Sequence, residues 1–102
     1  MNGIFDVWLL DDNRGMKVEK TSGGMIYDNR TKRIINKTLK LTKENKLLWK
    51  SSWIKIYSWN NSFVVIDNDK RKIPAIFSAL NDDFYDYIHK FFPNEKISAI
   101  PS

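Results

Sequence analysis

A chain of 102 residues with a net charge of +5 and no cysteine is bounded to one folded domain, and disulfide and thiolate chemistry are excluded. No apolar run approaches the ~18 residues that would cross a bilayer as a helix. The start, Met1-Asn2-Gly3-Ile4-Phe5-Asp6, lacks the basic and then apolar stretch of a secretion signal, so a cytoplasmic location is expected.

Alternation of apolar and polar residues with period two dominates the first three-quarters of the chain and predicts strands. Residues 4–10 place Phe5, Val7 and Leu9 on one face and Ile4, Trp8 and Leu10 on the other, the pattern of a strand held between layers. A turn at Asp12, Asn13, Arg14 and Gly15 leads to a second strand over residues 16–20, which ends before Gly23 and Gly24. Met25-Ile26-Tyr27 and Arg33-Ile34-Ile35 flank the polar link Asp28-Asn29-Arg30-Thr31 and predict a hairpin. Leu39 and Leu41 suggest a further strand, and Leu47 to Trp49 begins the one that returns after the turn at 43–45.

The sharpest hairpin signal is Asn60-Asn61, set between residues 55–59 and 62–66. Asn accepts left-handed backbone better than other non-glycines. Val64-Val65-Ile66 is the strongest strand former in the chain. A turn at 67–70 leads to residues 72–77, where Pro74 lacks an N–H and so marks an edge strand or a strand end.

The last element is a helix at about 82–92. Phe84, Tyr87, Ile88 and Phe91 follow helical spacing and are expected to form its buried stripe. Asn81 is placed to cap it, Asp82 and Asp83 suit the positive end of the helix dipole, and Pro93 stops it. The chain is therefore expected to be α+β and mostly β: about six or seven antiparallel strands in a small barrel or strongly bent sheet, closed by the helix. One domain spans residues 1–93, and residues 94–102 form a C-terminal tail.

The last third carries a family likeness. A strand ending at Trp59, the Asn60-Asn61 turn, Phe63-Val64-Val65-Ile66, a charged turn, Lys72-Ile73-Pro74 and a helix opening Asn81-Asp82-Asp83-Phe84 together resemble bacterial pleckstrin-homology-like (PH-like) domains, including the YcxB-like group. The likeness covers residues 50–92; the first half agrees in strand count alone. It implies a small barrel plugged by a terminal helix. It departs from that group in having no membrane-spanning helix. It also departs at the first turn, where Asp11 and Asp12 would repel the phosphates that lipid-binding PH domains hold. Fold by itself does not fix function.

The chemistry-bearing residues are sparse. His89 is the one histidine, a single step off the apolar stripe, and reads as structural. No nucleophile, base and orienting acid come together in the sequence, so no catalytic residue is assigned and the chain is read as non-enzymatic. No metal-ligand spacing or cofactor motif stands out: Asp67-Asn68-Asp69 lacks the Gly and terminal Glu of a calcium loop. No cofactor is expected.

Binding is the remaining class. From Arg30 to Lys50 there are eight Lys or Arg against the single acid Glu44. Arg30, Lys32, Arg33, Lys37 and Lys40 form its candidate basic patch. With Tyr27, Trp49 and Trp53 they would suit stacked single-stranded bases, but a solvated Lys-rich surface that deters aggregation is the favoured reading, and a nucleic-acid partner is disfavoured. Trp53, Lys55, Tyr57 and Trp59 share one strand face. With Ile54 and Ile56 turned to the core, these four are expected outside, as a protein-binding or self-associating face. The leading expectation is thus a bacterial interaction domain whose partner is another protein, or a second copy. An immunity protein that neutralises a toxin is one alternative, since polarised charge speeds capture. Nucleic-acid or anionic-lipid binding through residues 30–50 is the other.

Overall fold

The computed structural model describes residues 7–9, 19–20, 25–37, 39–42, 44–98 and 100. The turns expected at 12–15 and 23–24, the acidic pair Asp11 and Asp12, and much of the strands expected at 4–10 and 16–20 lie outside them. In chain order the described elements are β1 (Val7–Leu9), β2 (Glu19–Lys20), β3 (Met25–Asp28), β4 (Arg33–Asn36), β5 (Leu39–Leu41), β6 (Leu47–Lys50), β7 (Ile54–Trp59), β8 (Ser62–Asp67), β9 (Ala75–Phe77) and α1 (Asp82–Phe91).

The two hairpins form where turn chemistry places them. Asn60 and Asn61 take φ of 47° and 61°, the left-handed pair whose twist matches the strands they join. β7 and β8 then pair from Ile54 with Asp67 to Trp59 with Ser62. β3 and β4 pair from Asp28 with Arg33 to Met25 with Asn36.

The strands build a mixed sheet in the order β4-β3-β9-β8-β7-β6 and a smaller one in the order β2-β1-β5. This corrects the expected antiparallel barrel in two respects. The large sheet is open, because its outer strands β4 and β6 pair with inner neighbours and not with each other. And β3 with β9, like β1 with β5, is parallel. In the first of these pairs, Tyr27 N–H donates to Pro74 O at 2.8 Å and Asn29 N–H to Ile76 O at 2.9 Å. Pro74 stands just before β9, where its carbonyl is used and its missing N–H is not needed. β9 is therefore a central strand with a proline at its entrance.

Both faces of the large sheet are covered. On one, Ile54, Ile56, Val65, Ala75 and Phe77 pack against Phe84 and Ile88 of α1 and against Phe92 and Ile97 beyond it. On the other, Ile26, Val64, Ile66 and Ile76 pack against Leu39 and Leu41 of β5. Each fully buried Val, Leu, Ile or Phe among them contributes about 1.5–3 kcal/mol by leaving water. Strand β8 is buried on both faces for this reason, which explains its unbroken Val64-Val65-Ile66 run.

Helix α1 begins as its sequence requires. Asn81 Oδ1 accepts from Phe84 N–H at 3.3 Å, with Asp82 and Asp83 in the first turn. Its buried stripe differs from the expected one. Phe84, Ile88 and then Phe92 face the sheet, whereas Phe91, expected in the core, is 41% exposed. The cause is at the C-terminus, where Phe92 leaves helical geometry (φ −133°, ψ 68°) and turns its own ring inward. The following segment also joins the core: Ile97 packs on the helix side of the sheet and Glu95 is buried. The packed unit therefore runs past Pro93. Among the described residues no helix is long and apolar enough to cross a membrane.

Candidate functional site

The turn at 29–32 is organised by one carboxylate. Asp28 accepts from Arg30 through the backbone N–H at 3.0 Å, Nε at 2.9 Å and Nη2 at 3.0 Å. These hydrogen bonds hold its carboxyl below the ordinary aspartate value against the opposing effect of burial. Lys32 closes the turn in left-handed geometry, φ 60°, and reaches toward the helix. Its Nζ lies 2.9 Å from Asn29 Oδ1 and 3.5 Å from Asp83 Oδ2. The hairpin tip is thereby tied to the first turn of α1.

Between that tip and the far end of α1 lies a groove of about 510 Å³, lined from both the sheet edge and the helix. Its apolar lining is Tyr27, Ile34, Ile73, Tyr87 and Phe91. Tyr27 and Tyr87 lie parallel at 6.5 Å between ring centroids, and Tyr87 meets Phe91 at 4.8 Å. Burial above all, then the charges of Asp67 and Tyr27, push the Tyr87 phenol up to about 12. The charged groups around the groove are Lys32, Lys72, Lys90, Asp83 and Asp86. Lys90 Nζ rests 5.4 Å over the Phe91 ring and Lys72 Nζ 5.3 Å over Phe92, so both stems shield aromatic surface while their charges face water.

Large apolar side chains stand out on opposite walls of this groove: Ile34 on β4 is 60% exposed and Phe91 on α1 is 41% exposed. Past Phe91 a smaller hollow of about 190 Å³ continues to Trp53 and Pro93, sharing Phe91 and Lys72 with the groove. Its floor is set by Asp67, whose carboxylate accepts the backbone N–H of Asp69 (2.9 Å), Arg71 (3.3 Å) and Lys72 (3.0 Å).

The residues singled out from sequence are divided by this architecture. Trp53 is exposed, at 42%, as expected. Tyr57 and Trp59 are half-buried and not fully outside: they pack against the Leu39 and Leu41 core, with Lys55 half-buried beside them. The expected aromatic face is instead a second packing face, because β5 covers the side of β7 opposite α1. The basic patch is divided too. Arg30 is committed to Asp28 and Lys32 to the helix end, while Lys37 lies 5.0 Å over Trp59 on the other side. Arg33 and Lys40 are exposed. Tyr27 and Trp49 pack on the helix side, so no single basic and aromatic surface for stacked bases is assembled from these residues.

Sequence reasoning missed Ile34, Phe91, Lys72 and Lys90 as members of one site. A signal was available in two doublets, Ile34-Ile35 and Phe91-Phe92. On a strand adjacent side chains point to opposite faces, and where a helix ends two neighbouring rings cannot both face the sheet. Ile35 and Phe92 turn inward, and the two partners left outside both line the groove. No protein-family model, curated protein or solved structure matches the chain.

Proposed function

We propose that this chain is a non-enzymatic protein-binding module whose contact surface is the groove between α1 and the outer strand β4, continued past Phe91 to Trp53. The observation that carries the reading is the placement of Ile34 and Phe91, two large exposed apolar side chains, on facing walls of one preformed groove. Contiguous apolar surface rimmed by charge is the usual character of an interaction site. The order of strand, Asn60-Asn61 turn, strand, Ile73-Pro74 and helix supports a distant kinship with bacterial PH-like domains, here without barrel closure.

Panning a random peptide display library against the protein tests the reading. Enriched binders are expected to lose about tenfold or more in affinity for Phe91→Ser and for Ile34→Ser, a loss typical of central apolar contacts. Failure to enrich any binder, or binders indifferent to both substitutions, counts against it.

A further inference from the structure

We infer that the occupant of this groove is an extended acidic segment of a partner protein, which adds as a strand to the outer edge of β4 and seats an apolar side chain between Ile34 and Phe91. The inference rests on the groove being the contact surface and names what fills it.

The backbone of β4 is set up for such pairing. Tyr27 and Asn29 point their N–H groups toward β9. Successive backbone groups of a strand alternate in direction, so Asp28 and Ile26 face β4 and bond Arg33 and Ile35, their register partners. Ile34 and Asn36 are therefore left with N–H and C=O groups turned to the open side. Among the described residues no strand pairs with that edge. The Ile34 side chain meanwhile lies opposite Tyr27 and lines the groove. Main-chain bonds along β4 and a side-chain pocket beside it are thus adjacent, the two requirements of strand addition.

Charge decides which segment fits. Lys32 and Arg33 stand at one end of β4 and Lys37 at the other, and Lys72 and Lys90 flank the groove. Asp83 and Lys32 pair at 3.5 Å and offset each other, which leaves Asp86 against Lys72 and Lys90 in the groove, with Arg33 exposed at the end of the strand. A second copy is disfavoured on the same ground in the antiparallel register about Ile35, where the outward groups of Ile34 face those of Asn36 and Arg33 is set opposite Lys37 twice. Like charges directly across a strand pair are destabilising. An acidic strand turns each of those repulsions into attraction.

The test uses short synthetic peptides in which Glu alternates with Val and Leu, a counterpart with Lys for every Glu, and a Glu peptide N-methylated at alternate amides. Affinity is read by fluorescence anisotropy, and backbone exchange by NMR of the intact chain. The Glu peptide is expected to bind at least about tenfold more tightly than the Lys peptide, weakening with salt, and N-methylation is expected to abolish binding. At saturation the Ile34 and Asn36 amides are expected to exchange more slowly, with Arg33 and Ile35 changed little. Equal binding of Glu and Lys peptides, no binding of the Glu peptide, or unchanged exchange at Ile34 and Asn36 overturns the proposal. Library-selected binders that depend on Ile34 and Phe91 but leave those two amides exchanging freely would overturn strand addition and leave the groove reading standing.

Discussion

Trp49 donates its indole N–H to Glu95, Nε1 to Oε2 at 3.1 Å, tying the outer strand β6 to the segment beyond the helix. The same carboxylate accepts from Ser51 Oγ, and from the Lys96 backbone N–H at 3.1 Å. Glu95 is buried, so its removal strands an indole N–H and a hydroxyl in a site with little water. Glu95→Ala is expected to lower stability by about 1–3 kcal/mol, and Glu95→Gln by less because an acceptor remains. Urea denaturation checks the order, and equal losses for the two would contradict it.

Asp28 and Arg30 predict an acid dependence. The hydrogen bonds from Arg30 lower the Asp28 carboxyl below its ordinary 3.8. A folded-state value below the unfolded one gives stability that is complete above the unfolded value and is lost as pH falls through the folded one. At neutral pH Asp28→Asn is expected to be less stable than wild type by about 1–3 kcal/mol. The gap should narrow as pH drops below 3.8. A gap that stays constant from neutral pH to strong acid would refute this account.

Tyr87 predicts the alkaline counterpart. Its phenol is pushed from 10.0 up to about 12, chiefly by burial. The raised value favours the neutral form, so its contribution is present below the unfolded value and is lost as pH rises from there through the folded one. Absorbance titration of the phenolate should show one tyrosine that ionises late, missing in Tyr87→Phe. That variant should also lose less stability between neutral and alkaline pH.

The neighbours at the end of the helix predict opposite outcomes for similar truncations. Phe91 is exposed at a groove, while Ile97 is buried at 3% exposure. Ile97→Ala is expected to cost about 2–5 kcal/mol, whereas Phe91→Ala should stay within about 1 kcal/mol of wild type. Thermal melts of the two decide whether the chain after Pro93 belongs to the packed unit.

At the β7–β8 turn both asparagines have positive φ. Asn61→Val is expected to destabilise by about 1–2 kcal/mol, since a β-branched side chain resists left-handed backbone. Asn61→Gly should be neutral or slightly stabilising, because Asn-Gly is the preferred pair for this turn. The reverse order in denaturation midpoints would exclude the turn geometry described here.

Local features were the legible ones. The Asn60-Asn61 hairpin, the Asn81 cap and the burial of Phe84 and Ile88 follow from residues close in sequence, where turn and capping chemistry act. The parallel pairings of Tyr27 with Ala75 and of Val7 with Leu39 join segments far apart, and no turn residue reports on them. Tyr57 and Trp59 were misplaced for a related reason: alternation shows that a strand has two faces, but not that β5 will cover the second. The groove was hidden because Ile34 and Phe91 each look like core from their neighbours, and only the assembled sheet shows that Ile35 and Phe92 took those places.

The position of β9 has a consequence for how the chain acquires this structure. Three residues, Ala75 to Phe77, separate β3 from β8 at the centre of the sheet. During synthesis the β3–β4 hairpin emerges early but has no described strand on its inner side until β9 follows much later. The β7–β8 hairpin and the β8–β9 pair join segments close in sequence and are expected to form before β3 meets β9 across the five strands between them. The edge that presents Ile34 is therefore expected to join the large sheet late, and the lysines that flank it disfavour edge-to-edge pairing in the meantime.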